Sequence, residues 1–383
     1  MLTLRFRVSS TTYSMPSDVF QQVFSLCLAA NLVDGAQGNQ ASLQRAFQLA
    51  LASEIPLIGA DWQLVWGPVV TKMSDDAQSG PGNAWYMAFH PRLQFEDGSI
   101  HPTYVIAIAS TPQKSTDVWK KQNFSVHAVT DFKAWADGGI RDAPEVVQRK
   151  DVRWIQKGTY IASGTVNAVH KLLTTPAPKG ATSAEWTLLS YITKQGKSTS
   201  HRIIVTGYSL GGALAPSLAL ALLLDGCIPA DRILSYPIAG PSPGNKRFVE
   251  LFVKNMPARK PPGAGSYQGW NLNLVNQLDV VPQAWCISSL ISRKQHLGNI
   301  PTLYGEPAMN VIKNAIWAAK FWSVFSGVMY KPLPSQYFSG TLPARPPNTT
   351  NTFLEIAAQQ HYEAYFKEVG IPVPPPEIRQ AGR

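Results

Sequence analysis

Two pentapeptides of this chain, Gly207-Tyr208-Ser209-Leu210-Gly211 and Gly240-Pro241-Ser242-Pro243-Gly244, match G-x-S-x-G, and no other feature constrains the backbone so tightly. In a nucleophile elbow this pattern turns a strand abruptly into a helix and lifts the serine Oγ clear of the sheet. A chain of this length carries one match by chance roughly one time in eight, so the flanks decide. Before the first match, Ile203-Ile204-Val205 is a short β-branched run; after it, Gly212-Ala213-Leu214-Ala215 opens an apolar helix. Glycines at 207, 211 and 212 suit a strained turn, because a Cβ there would collide with the adjoining strand and helix. The second match fails on chemistry. The residue after the nucleophile must donate its N–H to a developing oxyanion, and Pro243 has none.

A serine hydroxyl attacks only when a histidine takes its proton, and that histidine needs a carboxylate to fix its tautomer. With an elbow the chain order is Ser, then Asp or Glu, then His. Asp225 and Asp231 follow the elbow helix closely and suit element ends. Asp279 stands just past the strand candidate Leu272–Leu278, at the carboxyl edge where open α/β sheets place their chemistry. Two histidines follow it. His361, just before or within the last helix, is the expected base, with the loop residue His296 as the alternative. His90, His101, His127, His170 and His201 precede the elbow and suit surface or internally satisfied positions.

Helical periodicity near 16–32 and 40–53 predicts covering helices, within an N-terminal helical segment of residues 1–60. Strands are expected at Trp62–Val70, Ala84–Phe89, Tyr104–Ala109, Arg202–Thr206 and Ile233–Ile238. Helices are expected at Gly164–Leu173, Ser183–Tyr191, Ala213–Leu224 and about Thr352–Glu368. The alternation predicts an α/β fold: one domain over 1–383 with a mainly parallel sheet covered on both faces. Between Ile291 and Thr352 the pattern gives way to Pro-rich loops around an apolar, Trp-rich segment, Ala308–Tyr330. Residues 289–351 are therefore expected to be an insertion between Asp279 and His361. In it Ile316–Val328, with Trp317, Phe321, Trp322 and Phe325, is either a cap over an acyl pocket or a core helix.

The 383 residues are 45% hydrophobic and 15% charged, enough for a large core and too little charge for disorder. A net charge of +10 raises the question of nucleic acid, but the basic residues are scattered and no nucleic-acid-binding motif accompanies them. No nucleic-acid partner is expected; mild attraction to anionic lipid or colloidal solubility is the better match. Cys27, Cys227 and Cys286 lack metal-type spacing, so no metal and no cofactor are expected. Their odd number favours a reduced, cytoplasmic compartment, with export of a trimmed mature chain as the alternative. No run reaches the roughly 18 apolar residues of a membrane span.

The motifs resemble those of the class 3 lipases. Val205-Thr206-Gly207-Tyr208-Ser209-Leu210-Gly211-Gly212-Ala213-Leu214-Ala215 looks like the family's elbow, V-T-G-H-S-L-G-G-A-L-A, with Tyr208 in place of the usual histidine. Ala239-Gly240-Pro241-Ser242-Pro243-Gly244-Asn245 resembles its structural G-A-P-x-x-G-N loop, and Val275–Pro282 the segment around its catalytic aspartate. His361 with Tyr365 resembles the catalytic H-x-x-x-Y, His296-Leu297-Gly298 a noncatalytic H-x-G, and Ile155–Tyr160 the V-H-x-G-F strand end. The resemblance covers about residues 100–368. It implies an α/β-hydrolase fold, a Ser209–Asp279–His361 triad, and oxyanion donors at Leu210 and Thr111. Two further features depart from the family pattern. Ala109-Ser110-Thr111 replaces R-G-[ST], and His361 comes 82 residues after Asp279, a long interval consistent with an insertion.

The implied activity is hydrolysis of acylglycerol esters through an acyl-enzyme, with a lipid–water interface as a candidate partner and Trp119–Trp135 as a candidate lid or surface helix. A short-chain or aromatic esterase and a phospholipase would share every one of these residues. A noncatalytic lipid-binding protein would not need them intact.

Overall fold

The β-branched runs of the sequence assemble into one large sheet and one small one. The computed structural model describes residues 18–72, 78–110, 125–148, 151–152, 157–195, 201–305 and 310–373. In chain order the strands are β1 (Gln63–Val70), β2 (Ala84–Gln94), β3 (Ile100–Ile108), β4 (Val129–Asp131), β5 (Tyr160–Ala162), β6 (Arg202–Tyr208), β7 (Ile233–Ile238), β8 (Gly244–Asn245), β9 (Asn273–Asn276), β10 (Tyr330–Lys331) and β11 (Ser335–Phe338). The main sheet runs β1-β2-β3-β6-β7-β9-β11 and the small one β10-β8-β5-β4. β1, β2 and β3 pair antiparallel; from β3 through β6, β7 and β9 to β11 every pairing is parallel.

The parallel strands are apolar throughout because both of their faces are covered. Along β6, Ile203 and Val205 enter one core while Ile204 enters the other, the two-residue period of a strand. One core packs the sheet against the elbow helix Leu210–Leu224 and helices Ser163–Thr174 and Leu188–Gln195. The opposite core packs it against helices Val19–Ala29, Gln40–Ile58 and Glu363–Val369. The elbow helix has sheet on one side and helices around the rest, so every residue from Leu210 to Leu222 is buried.

Several elements differ from expectation. The stretch 289–351 contains β11, which extends the main sheet by pairing in parallel with β9; its short Ser-Gln-Tyr-Phe sequence between prolines hides a strand. The last helix is two helices, Thr350–His361 and Glu363–Val369, broken at Tyr362 (φ −125°, ψ −69°). The helix expected at Ser183–Tyr191 starts at Leu188, because Ser183 and Glu185 lie at positive φ and the Thr187 hydroxyl accepts the Ser190 N–H. Of Trp119–Trp135, residues up to 124 lie outside the described part. In the remainder, helix Phe132–Gly138 turns Phe132 and Trp135 into the core and leaves Lys133, Ala134 and Asp137 exposed.

Candidate active site

β6 ends at Tyr208 and the elbow helix begins at Leu210, leaving Ser209 alone between them at φ 58°, ψ −116°. For a residue with a Cβ such a conformation costs on the order of 1–3 kcal/mol and persists only where the surroundings impose it. Here they do. The Ser209 N–H donates to Ile238 O on β7 at 2.9 Å, and its carbonyl accepts the Gly212 N–H at 2.9 Å. A Cβ on Gly207 would lie 2.2 Å from Gly211 O, one on Gly211 2.5 Å from Ile108 O, and one on Gly212 2.4 Å from Ile238 O. All three obstacles are backbone and have no rotamer to yield. Only glycine lets the helix start against the ends of β3, β6 and β7 together. As the first helical residue, Leu210 has an N–H with no acceptor inside the helix.

The second G-x-S-x-G serves the same packing from the other side. A Cβ on Gly240 would lie 2.5 Å from Gly212 O, and the Asn273 amide clamps Gly240 by accepting its N–H at 3.0 Å and donating to its carbonyl at 2.9 Å. Gly244 belongs to β8, between β5 and β10. Ser242 is buried, and its φ is not positive.

Asp279 follows the turn after β9 and is fully buried. Its Oδ2 lies 2.7 Å from His361 Nδ1 and accepts the Tyr365 hydroxyl at 2.8 Å; its Oδ1 accepts the Val281 N–H at 2.9 Å. The Tyr365 hydroxyl in turn accepts the Asn276 N–H at 3.1 Å. The Asn276 side chain donates to Gln360 O at 2.9 Å, gripping the residue before His361. From the elbow side, the Tyr208 hydroxyl donates to the His361 carbonyl, and the two rings lie 5.2 Å apart. Burial, reinforced by the charge of Asp279, pushes both phenols well above the usual tyrosine range, so each keeps the proton it donates. The His361 side chain remains about one-fifth exposed, while its carboxylate partner is sealed off.

The Asp279–His361 pair thus joins two of the residues singled out in the sequence, and the elbow holds Ser209 and Leu210. Thr111 lies outside the described residues. Its neighbour Ser110 donates both its N–H (2.8 Å) and its hydroxyl (2.7 Å) to Asn31 Oδ1. His296 plays a different part, since its Nδ1 accepts the Gly298 N–H at 3.1 Å, capping a 3-10 turn, and burial lowers its pKa. Asp225 caps the end of the elbow helix, and Asp231 is exposed. Tyr365, Tyr208 and Asn276 were not singled out as parts of the site in their own right. The one available signal was the four-residue spacing from His361 to Tyr365. Among the described residues no group of His, Cys, Asp or Glu could hold a metal ion. The three cysteines are free.

A mainly parallel sheet that carries a strained serine turn and a histidine–carboxylate pair at its carboxyl edge has the architecture of the α/β-hydrolase fold. The sequence model of the family described as Lipase (class 3) matches residues 109–288, from the end of β3 through the elbow and Asp279. Over that segment the chain is similar to the class 3 lipases, a likeness that supports a carboxylic ester hydrolase. Among solved structures, that of M37 lipase is similar over 92% of each chain at 21% identity, with a TM-score of 0.64, and shares the fold. A lipase from Rhizopus microsporus var. chinensis matches over 71% of each chain at 13% identity and a TM-score of 0.42. The Yarrowia lipolytica LIP2 lipase matches over 69% of this chain and 73% of its own at 16% identity and 0.41. No curated protein matches the chain.

Proposed function

We propose that the chain is a serine lipase that hydrolyses the carboxylic ester bonds of acylglycerols through Ser209, His361 and Asp279. The observation that carries this reading is the 2.7 Å contact between His361 Nδ1 and the buried Asp279 carboxylate. With Nδ1–H donated to Asp279, the other ring nitrogen, Nε2, is the one left to take a proton. As Ser209 Oγ bonds to the ester carbonyl carbon, its proton passes to Nε2. The carbonyl oxygen becomes an oxyanion held by the Leu210 N–H and, by family resemblance, Thr111. Collapse breaks the ester C–O bond, and His361 returns the proton to the departing alkoxide. Water, deprotonated by His361, then attacks the acyl-enzyme, releasing the fatty acid and restoring Ser209.

Labelling with a fluorophosphonate tests the nucleophile: one adduct is expected on the native chain and none on Ser209→Ala, and labelling that survives the substitution overturns the assignment. A series of p-nitrophenyl esters from acetyl to palmitoyl, with and without an emulsion, tests the substrate. Activity is expected to extend to long chains; activity confined to acetyl and butyryl esters replaces lipase by esterase.

A further inference from the structure

The helix Asn310–Phe325 wears its apolar side outward. Its buried stripe is narrow, Ile312 and Ser323 with the partly buried Ile316 and Ala319 between them. That stripe rests on the 3-10 turn Leu297–Thr302, and Trp322 meets the His127 ring at 5.6 Å. On another face Trp317 is 69% exposed and Phe321 50%, with Trp322 and Phe325 close behind. Residues 313, 317, 321 and 325 follow one another at four-residue intervals, so Lys313, Trp317, Phe321 and Phe325 form one stripe. The rings of Trp317 and Phe321 stack at 6.0 Å, and those of Phe321 and Phe325 lie 6.1 Å apart. A patch of adjoining aromatic rings turned to water marks an interaction surface.

Charge identifies the occupant. Between Val280 and Leu354 stand six basic residues, Arg293, Lys294, Lys313, Lys320, Lys331 and Arg345, against the single acid Glu306. Arg293, Lys294 and Lys313 are exposed. Just beyond the helix, Met329 and Lys331 line an open groove of about 670 Å³ together with Lys246, Arg247, Glu250 and the apolar pair Leu290 and Ile291, Leu290 being 97% exposed. Aromatic rings on one helical face with lysines beside them are the composition of a helix that lies in a lipid headgroup region. Basic residues next to it add attraction to anionic lipid, and that attraction falls off within a Debye length.

We infer that the helix Asn310–Phe325, with the basic rim around it, docks the enzyme on an anionic lipid–water interface, its stripe of Trp317, Phe321 and Phe325 entering the headgroup layer. This deepens the lipase reading and rests on it for the benefit of docking, although binding itself is measured without turnover. On Ser209→Ala full-length chain, sedimentation with phosphatidylcholine vesicles containing phosphatidylglycerol is expected to carry the protein down, with a blue shift of tryptophan fluorescence; pure phosphatidylcholine carries much less. Trp317→Ser with Phe321→Ser is expected to weaken the partition roughly tenfold or more, and Lys313→Ala with Lys320→Ala about fivefold per lysine on the anionic vesicles alone.

In the active chain the aromatic pair is expected to lower hydrolysis of emulsified long-chain ester while leaving dissolved p-nitrophenyl butyrate unchanged. Partition by the aromatic variant equal to that of the parent overturns the inference. So does a parent dimer that the same substitutions convert to monomer with vesicle binding intact, which would make the patch a self-association surface. Absence of activity on every ester, with vesicle binding intact, sinks the lipase reading and leaves the docking surface standing.

Discussion

Two helices of this protein rich in apolar residues meet opposite fates. Leu210–Leu224 is apolar on all sides and buried from Leu210 to Leu222, because sheet and helices surround it. Asn310–Phe325 is as rich in large apolar residues yet buries fully only Ile312 and Ser323 among the residues described for it. The first is fixed by contacts its backbone cannot avoid. The second is held along a narrow stripe, and its outer face answers to something other than the fold. Steric necessity makes the one a device for chemistry, whereas the loose attachment of the other leaves its surface free for a function of its own.

The largest test of that contrast is catalytic. Ser209→Ala and His361→Ala are each expected to lower kcat by roughly 10⁴-fold or more. His296→Ala, on the insertion side, should keep kcat within a few-fold, since that ring caps a turn. Steady-state kinetics on p-nitrophenyl esters decides, and a reversed ranking of the two histidines would hand the base to the insertion. Stability gives the next test. Gly212→Ala forces a Cβ to 2.4 Å from Ile238 O and is expected to cost about 3 kcal/mol or more, or to prevent folding. Trp317→Ser, at an exposed site, should change unfolding free energy by less than about 0.5 kcal/mol. Denaturant titration separates them, and equal losses would make the outer helix part of the core.

The same contrast explains what the sequence disclosed. Gly207, Gly211 and Gly212 announce the elbow because no other residue fits there, while chain order leaves His296 and His361 as bases and the place just past a strand favours Asp279 as the acid. Pro243 removes Ser242 from contention on chemistry alone. The strand Ser335–Phe338 stayed hidden because four residues between loops carry too little pattern, although its pairing with β9 places it in the main sheet. The outward face of Trp317 and Phe321 was equally illegible: composition says apolar, and only packing says which side is covered. Tyr365 fell between these cases. Its spacing from His361 was visible, but its bond to Asp279 exists only once β9 and the final helix meet.

Tyr365→Phe probes that join. It removes the hydroxyl that donates to Asp279 and leaves the buried Asn276 N–H without its acceptor. The expected loss is about 1–3 kcal/mol of stability. Because the pair that holds His361 also loosens, kcat should fall about tenfold with KM nearly constant. A stability loss with kcat intact would restrict Tyr365 to a structural part.

A smaller catalytic effect is expected at Asn31. This residue closes helix Val19–Ala29 by donating to Cys27 O at 3.2 Å, while its Oδ1 takes both protons that Ser110 offers. Ser110 immediately precedes Thr111 and follows Ala109, whose N–H is held by Ala84 O at 2.9 Å on β2. The N-terminal helices, outside the segment that matches the family, therefore fix the start of the loop from which a second oxyanion donor would come. Asn31→Ala frees that start at one point and leaves the Ala84 bond in place. A few-fold fall in kcat is expected, with KM unchanged and unfolding shifted by about 1 kcal/mol. Ser110→Ala, which keeps the N–H bond and loses only the hydroxyl, should fall between Asn31→Ala and the parent. If Asn31→Ala changes stability but not kcat, the loop after β3 takes its shape without help from the N-terminal helices.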